Sequence, residues 1–310
     1  MTMKSCNLAT APGLFVAIAA CLVASGCDRS DATPEAVCLT DAQIGAFAPI
    51  AGGVVEKGTY AIYPEERGSG AAEVAPFEIQ IHEVTIAQFA AFVAATGYKT
   101  DVEKSIEADA IGAGSAVFDP NQSASPAGPW RLDESARWDR PGGVTVQDPS
   151  ADQRPVTHVS HHDANAYARW AGGRLPTEEE FERAAQAALS DPARRDSGAF
   201  DDDGAPIANT WQGMFPFMND AADGYAGVAP VGCFAPSEDG VYDLIGNVWE
   251  WTASPYRGVG QHTIKGGSFL CAKNFCRRFR PEARQPHESN FSTNHIGFRI
   301  VRDVEAAAAD

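Results

Sequence analysis

The stretch GNVWEWT, residues 246–252, lies in the part of the chain that decides the fold. It is a short apolar run that follows a Gly-Asn turn signal. From residue 205 onward, similar short runs alternate with glycine, proline and asparagine. Such a pattern predicts hairpins and loops rather than long helices. The 29 glycines and 20 prolines among 310 residues also argue against a helical bundle.

Three helices and one strand are predicted upstream of this region. Residues 76–81 (PFEIQI) alternate between apolar and polar side chains, as a half-buried strand does. Each helix is marked by a capping signal followed by apolar residues at helical spacing. The first helix begins after Thr85 and ends at Gly97, the second begins after Ser160, and the third begins after Thr177. Together with the loop-rich remainder, these elements predict an α+β fold.

Residues 105–155 have little regular pattern and are rich in alanine, glycine, serine, proline and aspartate. A loop of this length inside a compact domain is usually functional or disordered. The alternative is that Trp130 and Trp138 fix an irregular segment to the core.

The N-terminus has the features of an export signal. Lys4 is the only charge before Asp28, and residues 8–26 are apolar or small, which predicts a secretory signal over residues 1–26. The small residues directly before Cys27 resemble a bacterial lipoprotein box. In that interpretation Cys27 is lipidated and becomes the first residue of a periplasmic, membrane-anchored protein, and Asp28 resembles an inner-membrane retention signal. The alternative is ordinary cleavage and a soluble periplasmic product.

The mature chain is predicted to have three parts. Residues 27–46 are polar and alanine-rich and form a tether, residues 47–304 form the folded domain, and residues 305–310 form a tail. The formal net charge of the whole chain is −17, without a basic stripe, so no nucleic acid is expected as a partner. Such acidity favours solubility or a basic partner.

The cysteine count changes if the chain is exported. The signal removes two of the seven cysteines and lipidation uses Cys27, which leaves Cys38, Cys233, Cys271 and Cys276. In an oxidising compartment, such thiols are usually disulfide-bonded, metal-bound or catalytic. A disulfide between Cys38 and Cys233 is possible, and the sequence leaves this pairing open.

Several blocks of the chain occur in the same order as in one known family. The blocks are residues 82–98, 155–180, 209–216, 246–252, 265–280 and 295–299. Together they resemble the formylglycine-generating enzyme (sulfatase-modifying factor) family over roughly residues 50–302. The resemblance implies an irregular, loop-rich, C-type-lectin-like α+β domain.

The resemblance also implies a reaction. Members of this family oxidise a cysteine of a sulfatase polypeptide to formylglycine, using copper and oxygen. Cys271 and Cys276 match the active-site pair, and two thiolates suit the soft ion Cu(I); the alternative is a structural disulfide. Ser268 matches a serine near the metal but could be a turn serine, and Trp249 matches an active-site aromatic residue but could be a core tryptophan.

Two structural calcium sites are implied in the same way. Calcium accepts six to eight oxygen ligands from carboxylates, amides and carbonyls. The residues implied are Asn209, Thr210, Asp223 and Tyr225 for the first ion, and Asp243, Gly246, Val248 and Glu250 for the second. In these sets Thr210, Tyr225, Gly246 and Val248 would act through their backbone carbonyls. The alternative is that the polar side chains cap turns.

The sequence also departs from the family pattern. Ala272 stands where the family usually has histidine, and residues 286–292 (PHESNFS) replace a segment expected to border the substrate groove. These changes favour an alternative function, a non-catalytic envelope lipoprotein that binds a peptide or another ligand. A third possibility is a different tailoring enzyme of the superfamily, which ranks last because such relatives generally lack the cysteine pair.

Overall fold

The helices begin where capping residues satisfy free backbone N–H groups. In the computed structural model, which describes residues 38–304 except 59–60, 69, 144, 150–151 and 189–197, Thr85 and Gln88 cap the first helix reciprocally. Gly97 ends that helix with a φ of 66°. The predicted starts at Ser160 and Thr177 are confirmed. The helices are α1 (Ile86–Thr96), α2 (Asp101–Glu107), α3 (His161–Trp170) and α4 (Glu178–Ala188).

The strands are short and form four small sheets. They are β1 (Phe47–Ile50), β2 (Gly53–Glu56), β3 (Ala71–Val74), β4 (Phe77–Gln80), β5 (Ser115–Phe118), β6 (Trp130–Asp133), β7 (Trp249–Pro255), β8 (Gln261–Lys265), β9 (Arg284–Glu288), β10 (Ile296–Gly297) and β11 (Val301–Asp303). The strand predicted at 76–81 is β4, the centre of an antiparallel sheet in the order β1-β4-β11.

The largest sheet contains the last four residues of the GNVWEWT stretch, which begin β7. Its order is β10-β7-β8-β9, in which β10 runs parallel to β7 and the other neighbours are antiparallel. The predicted hairpin pattern is confirmed for β7 and β8, which a short turn joins, whereas β9 follows β8 only after the long loop 266–283. Residues 205–248, all of them described, contain neither a helix nor a named strand. This long irregular stretch needs side chains to fix its backbone.

The core has two main parts. In the first, Phe89 and Tyr167 stack between α1 and α3, and Trp251 of β7 donates from its indole nitrogen to the Val159 carbonyl at 3.1 Å. In the second, Phe181 of α4 packs with Ile79 of β4. The fold is α+β, as the capping and turn signals predict.

The irregular segment 105–155 is partly ordered by its tryptophans. Trp138 is buried with its ring 5.4 Å from Phe89, so it fixes this segment to the core. Trp130 lies on β6 and remains 41% exposed, against the ring of Phe118. The segment also contains the β5–β6 hairpin and the end of α2, which the sequence pattern did not predict.

The predicted signal, the lipidation site Cys27 and the tail 305–310 lie outside the described residues. Within the predicted tether, Cys38 forms a disulfide with Cys233, and the Gly45 amide donates to the His82 ring at 2.8 Å. Residues 38–46 therefore already contact the domain, and the first strand begins at Phe47. Among the described helices, none has both the length and the apolar character needed to cross a membrane.

Candidate active site

Cys271 and Cys276 lie in one short loop after the end of β8. The Cys271 amide donates to the Ser268 carbonyl at 2.8 Å, and the Cys276 amide donates to the Ala272 carbonyl at 3.0 Å. These bonds fold the loop back on itself and bring the two Sγ atoms to 3.2 Å. Both cysteines are free thiols, with Cys271 buried and Cys276 half-buried. The structure thus brings the predicted pair together without a disulfide.

Glycine is required at position 267, where the start of the loop lies against the backbone of Arg278. Gly267 has a φ of 78°, and a Cβ built on it would lie 2.6 Å from the carbonyl oxygen of Arg278. No side chain fits at that distance, and the left-handed backbone conformation also disfavours other residues. Gly267 therefore permits the close approach of the segments that carry Cys271 and Cys276.

The environments of the two sulfurs favour a thiol at Cys271 and a thiolate at Cys276. Burial raises the pKa of Cys271 well above its ordinary value. The hydrogen bond from Cys271, followed by the Arg278 guanidinium, lowers the pKa of Cys276 to about 6. At neutral pH the pair thus holds one proton, which Cys271 donates to the Cys276 thiolate. A thiolate is the form of cysteine that reacts and binds metals.

Arg278 is itself held in place from a distant part of the sequence. Its Nη1 atom lies 3.7 Å from the Cys276 sulfur, and its Nη2 atom donates to the Glu65 carboxylate. Its guanidinium also stacks over the Tyr63 ring at 4.1 Å. Tyr63 in turn accepts a hydrogen bond from the amide of Arg277 at 3.0 Å. These contacts fix the charge that stabilises the thiolate.

A buried ion pair strengthens the same junction. Arg280 and Glu66 are both fully buried and pair at 2.5 Å, while Glu66 accepts from the amides of Ile62 and Tyr63. Sequence patterns indicated the arginines after Cys276 but gave no sign of Tyr63, Glu65 or Glu66. Those residues lie more than 200 positions away, so no local pattern could link them.

Ser268 and Trp249 are both buried near the pair. The Ser268 hydroxyl accepts from the Leu270 amide at 3.3 Å, a contact typical of a turn serine. Trp249 begins β7 and belongs to the same core cluster as Cys271. Ala272 is fully buried with Trp211, so the position where the family usually has histidine is an apolar wall.

The donor set at the pair suits copper. It consists of two sulfurs, one of them a thiolate at neutral pH, and soft sulfur ligands select Cu(I). Among residues 38–304, apart from the gaps given above, no group of three or more histidine, cysteine, aspartate or glutamate side chains is arranged to hold a metal. A metal at the pair would therefore be held by the sulfurs of Cys271 and Cys276.

The first implied calcium set surrounds one carboxylate, Asp223, that accepts several hydrogen bonds. Asp223 accepts from the amides of Thr210 at 3.0 Å and Tyr225 at 2.9 Å, which ties the two ends of this loop together. Asn209 donates its side-chain amide to Asn247, but its own Oδ1 atom is buried without a hydrogen-bond partner. An unpartnered buried oxygen is costly, and a cation would satisfy it.

The second implied set contains more negative charge than the protein neutralises. Glu250 accepts from Arg299 on both oxygens at 2.7 Å, and Asp243 accepts from the Gly232 amide at 2.6 Å. Burial raises the pKa of Asp243 to about 6. Burial also raises the pKa of Glu250 above its ordinary value. A third carboxylate, Glu83, has one buried oxygen without a partner. A cation would fit this excess, and Glu83 is a residue that sequence reasoning missed.

A cavity of about 350 Å³ lies close to the cysteine loop, but neither Cys271 nor Cys276 lines it. Its walls include Phe118, Trp211 and Phe269, together with the polar side chains of Thr157 and Asn294. Trp211 also connects the cavity wall to the cysteine loop, because its amide donates to the Cys271 carbonyl at 2.9 Å.

The fold and the paired thiols define a class of protein, and comparison with known sequences identifies it. The family described as "Sulfatase-modifying factor enzyme 1-like domain" matches residues 35–304, and the chain belongs to this family. The family predicted from the sequence blocks is thereby confirmed. With formylglycine-generating enzymes as relatives over most of its length, the chain is an enzyme of the oxidoreductase class.

Three relatives and one solved structure illustrate the similarity. The formylglycine-generating enzyme of Mycobacterium tuberculosis is 38% identical over 81% of this chain and 96% of that protein. That of Thermomonospora curvata is 40% identical over 78% and 87%. The inactive C-alpha-formylglycine-generating enzyme 2 of Mus musculus is 36% identical over 85% and 87%. The structure of PvdO from Pseudomonas aeruginosa has a TM-score of 0.58 at 22% identity, covering 83% and 94%, which supports the fold alone.

Proposed function

We propose that this chain oxidises a cysteine of a sulfatase-type polypeptide to formylglycine, using copper and oxygen at Cys271 and Cys276. One observation carries the proposal. Of the four cysteines in the described part of the chain, Cys38 and Cys233 are cross-linked, whereas Cys271 and Cys276 are thiols only 3.2 Å apart. A pair that is close yet reduced suits metal binding and redox chemistry.

The residues of the site would have different roles in the reaction. The Cys276 thiolate and the Cys271 sulfur would hold copper, which when bound supplies the activation of dioxygen. Arg278 would keep the Cys276 sulfur ionised, and the apolar wall at Ala272 would exclude water. In the overall reaction, a thiol RCH₂SH, dioxygen, two electrons and two protons give the aldehyde RCHO, hydrogen sulfide and water. A thiol reductant would supply the electrons.

Mass spectrometry of a Cys-x-Pro-x-Arg peptide tests this function. The peptide is incubated with the protein, Cu(I), a thiol reductant and air, and we expect loss of the thiol and gain of an aldehyde. The product should be absent with Cys276→Ser. Asn274→Ala, an exposed substitution between the two cysteines, is the matched control and should retain activity. An unchanged peptide together with clear copper binding would instead indicate a different substrate.

A second function is favoured by Ala272 and by the similarity to an inactive relative. In this alternative the chain is an envelope lipoprotein that uses the same fold to bind a peptide without catalysis. An unchanged peptide, no copper and a Cys271–Cys276 disulfide in the purified protein would support it. Detectable turnover of any cysteine peptide would rule it out.

We also propose that the two calcium sets bind structural ions. The unpartnered Asn209 oxygen supports the first, and the three buried carboxylates around Arg299 support the second. Adding calcium to chelator-treated protein should raise the melting temperature, since a ligand that binds only the folded state stabilises it. An unchanged melting temperature at millimolar calcium would contradict both sites.

The proposed location is the periplasm, with a lipid anchor on Cys27 in the inner membrane. The Cys38–Cys233 disulfide supports export, because structural disulfides form in oxidising compartments. Fractionation of cells that produce the full chain, with Cys27→Ser as the control, would test the anchor. We expect the unaltered chain in the inner membrane and the variant in the soluble periplasm.

A further inference from the structure

Four bulky apolar side chains are exposed near the cysteine pair. We call this group, consisting of Met214, Phe217, Met218 and Phe275, the apolar rim. Each of the four is 54% to 66% exposed. Met214 and Met218 are also the only methionines of the chain after Met3. Soluble proteins rarely leave such groups of side chains in water unless they bind something.

Hydrogen bonds and ring stacking hold the apolar rim against the site. The Trp211 indole donates to the Met218 carbonyl at 2.8 Å, and the amides of Phe217 and Met218 both donate to the Met214 carbonyl. Within this turn, the Phe215 ring stacks on the Phe275 ring at 4.6 Å. Phe275 directly precedes Cys276 in the sequence, so the rim is continuous with the cysteine loop.

We propose that the apolar rim binds an extended polypeptide segment through the apolar side chains that flank its target cysteine. This inference rests on the proposed function, since it concerns the substrate of the same site. Cys271 is buried and Cys276 is half-buried. A target thiol that reaches them must project from a chain lying across the surface, and the neighbours of that thiol then contact the rim.

The spacing of two exposed aromatic side chains suits a short extended segment. A row of rings leads from the exposed Phe275 through the half-buried Phe215 and the buried Phe118 to the exposed Trp130, with centroid spacings of 4.6 to 5.4 Å. At roughly 3.3 Å per residue, such a row spans at most about five residues of extended chain. The methionines at its edge are flexible and polarisable, so they can accommodate apolar partners of different shapes. The rim should therefore tolerate many apolar sequences.

The charges around the rim are mixed and do not form a basic surface. The turn that carries Met214, Phe217 and Met218 contains no lysine or arginine. On the other side, Phe275 is followed by Arg278 and Arg280, which are paired with Glu65 and Glu66. Recognition of anionic lipid needs a cluster of lysine and arginine side chains. The surroundings of the rim therefore favour a polypeptide over a membrane surface.

Fluorescence anisotropy with two unreactive peptides tests the proposal. Both peptides carry serine in place of the target cysteine and have the same net charge, but one has leucine and phenylalanine flanks and the other has serine and glycine flanks. The protein is the full chain with Cys27→Ser, which removes the predicted lipid. We expect the apolar-flanked peptide to bind about tenfold more tightly, the effect of one or two well-buried interface side chains.

Substitutions in the apolar rim should remove this preference. Phe217→Ser combined with Met218→Ser should make the two peptides bind equally, at an unchanged melting temperature because both side chains are exposed. Val259→Ser and Ile111→Ser, at apolar residues fully exposed elsewhere, are the matched controls and should keep the preference. Equal binding of both peptides to the unsubstituted rim, or a preference retained by the double variant, would overturn the proposal.

Two further measurements separate this inference from the proposed function. Oxidation of the cysteine versions of both peptides at equal kcat/KM would leave the reaction standing and overturn the rim. A flank preference in binding without any oxidation would support the rim and count against the reaction. Binding of the protein to phosphatidylglycerol vesicles that is lost in the double variant would identify the partner as a membrane and overturn the proposal.

Discussion

Replacing Cys38 and Cys233 together by serine should destabilise the whole domain. The disulfide joins residues 195 positions apart, so it restricts most of the unfolded chain. The native contacts near it should survive the substitution, since Leu39 packs against the second core cluster and the Gly45 amide bonds His82 independently of the cross-link. The effect therefore falls mainly on the unfolded state.

The size of the effect follows from the length of the closed loop. For about 195 residues, the chain-entropy relation gives a loss of about 5 kcal/mol in the free energy of unfolding. A domain of this size loses about 2 to 4 °C of melting temperature per kcal/mol, so we expect a fall of about 10 to 20 °C.

Thermal unfolding followed by circular dichroism measures this change. A reductant should lower the melting temperature of the natural chain to that of the double variant and should leave the variant unaffected. A double variant that melts within about 3 °C of the natural chain would refute the reasoning, because the cross-link would then restrict the unfolded chain very little.

Three other predictions concern single residues. Gly267→Ala should slow the formation of a disulfide between the active-site cysteines, and it should lower the melting temperature more than Gly240→Ala does. Gly240 has the same φ of 78° but open space around it. Equal effects of the two substitutions would show that the contact with the Arg278 carbonyl is unimportant. Arg278→Gln should raise the pH midpoint for alkylation of Cys276 above about 6, because the cation that stabilises the thiolate is lost, whereas Arg278→Lys should preserve most of the shift. Burial lowers the pKa of His158 to about 3 in the folded state. As the pH falls below the ordinary histidine pKa of 6.5, the unfolded state takes up a proton that the folded state does not. The stability that is present above pH 6.5 is therefore lost at lower pH. At pH 5 this loss is about 2 kcal/mol, and His158→Asn should unfold in urea with a smaller difference between pH 8 and pH 5, whereas an unchanged difference would contradict it.

The parts of the fold that the sequence predicts are those set by neighbouring residues. Thr85 with Gln88, Ser160 with Asp163, and Thr177 with Glu180 each form a reciprocal cap within four positions, so the three helix starts could be located from the sequence. The same kind of signal at Thr100 and Glu103 caps α2, which the prediction missed because the following segment has little pattern.

The parts that the sequence does not predict depend on distant contacts. Glu65 reaches Arg278 across 213 positions, and Glu83 approaches Asn247 across 164 positions. Neither glutamate differs locally from a surface residue. Their importance follows from burial and from the charge they meet, which only the folded chain defines.

The two cysteine pairs behave differently although they belong to the same chain. Cys271 and Cys276 are so close that oxidation would need little movement of the loop, yet they are thiols, whereas Cys38 and Cys233 are cross-linked. In an oxidising compartment, a nearby dithiol persists only while a metal occupies it or a reductant restores it. Copper content and disulfide content should therefore vary inversely at this pair. Measuring both on one purified sample distinguishes the oxidase, which keeps copper and thiols, from a binding protein, in which the pair becomes a permanent cross-link.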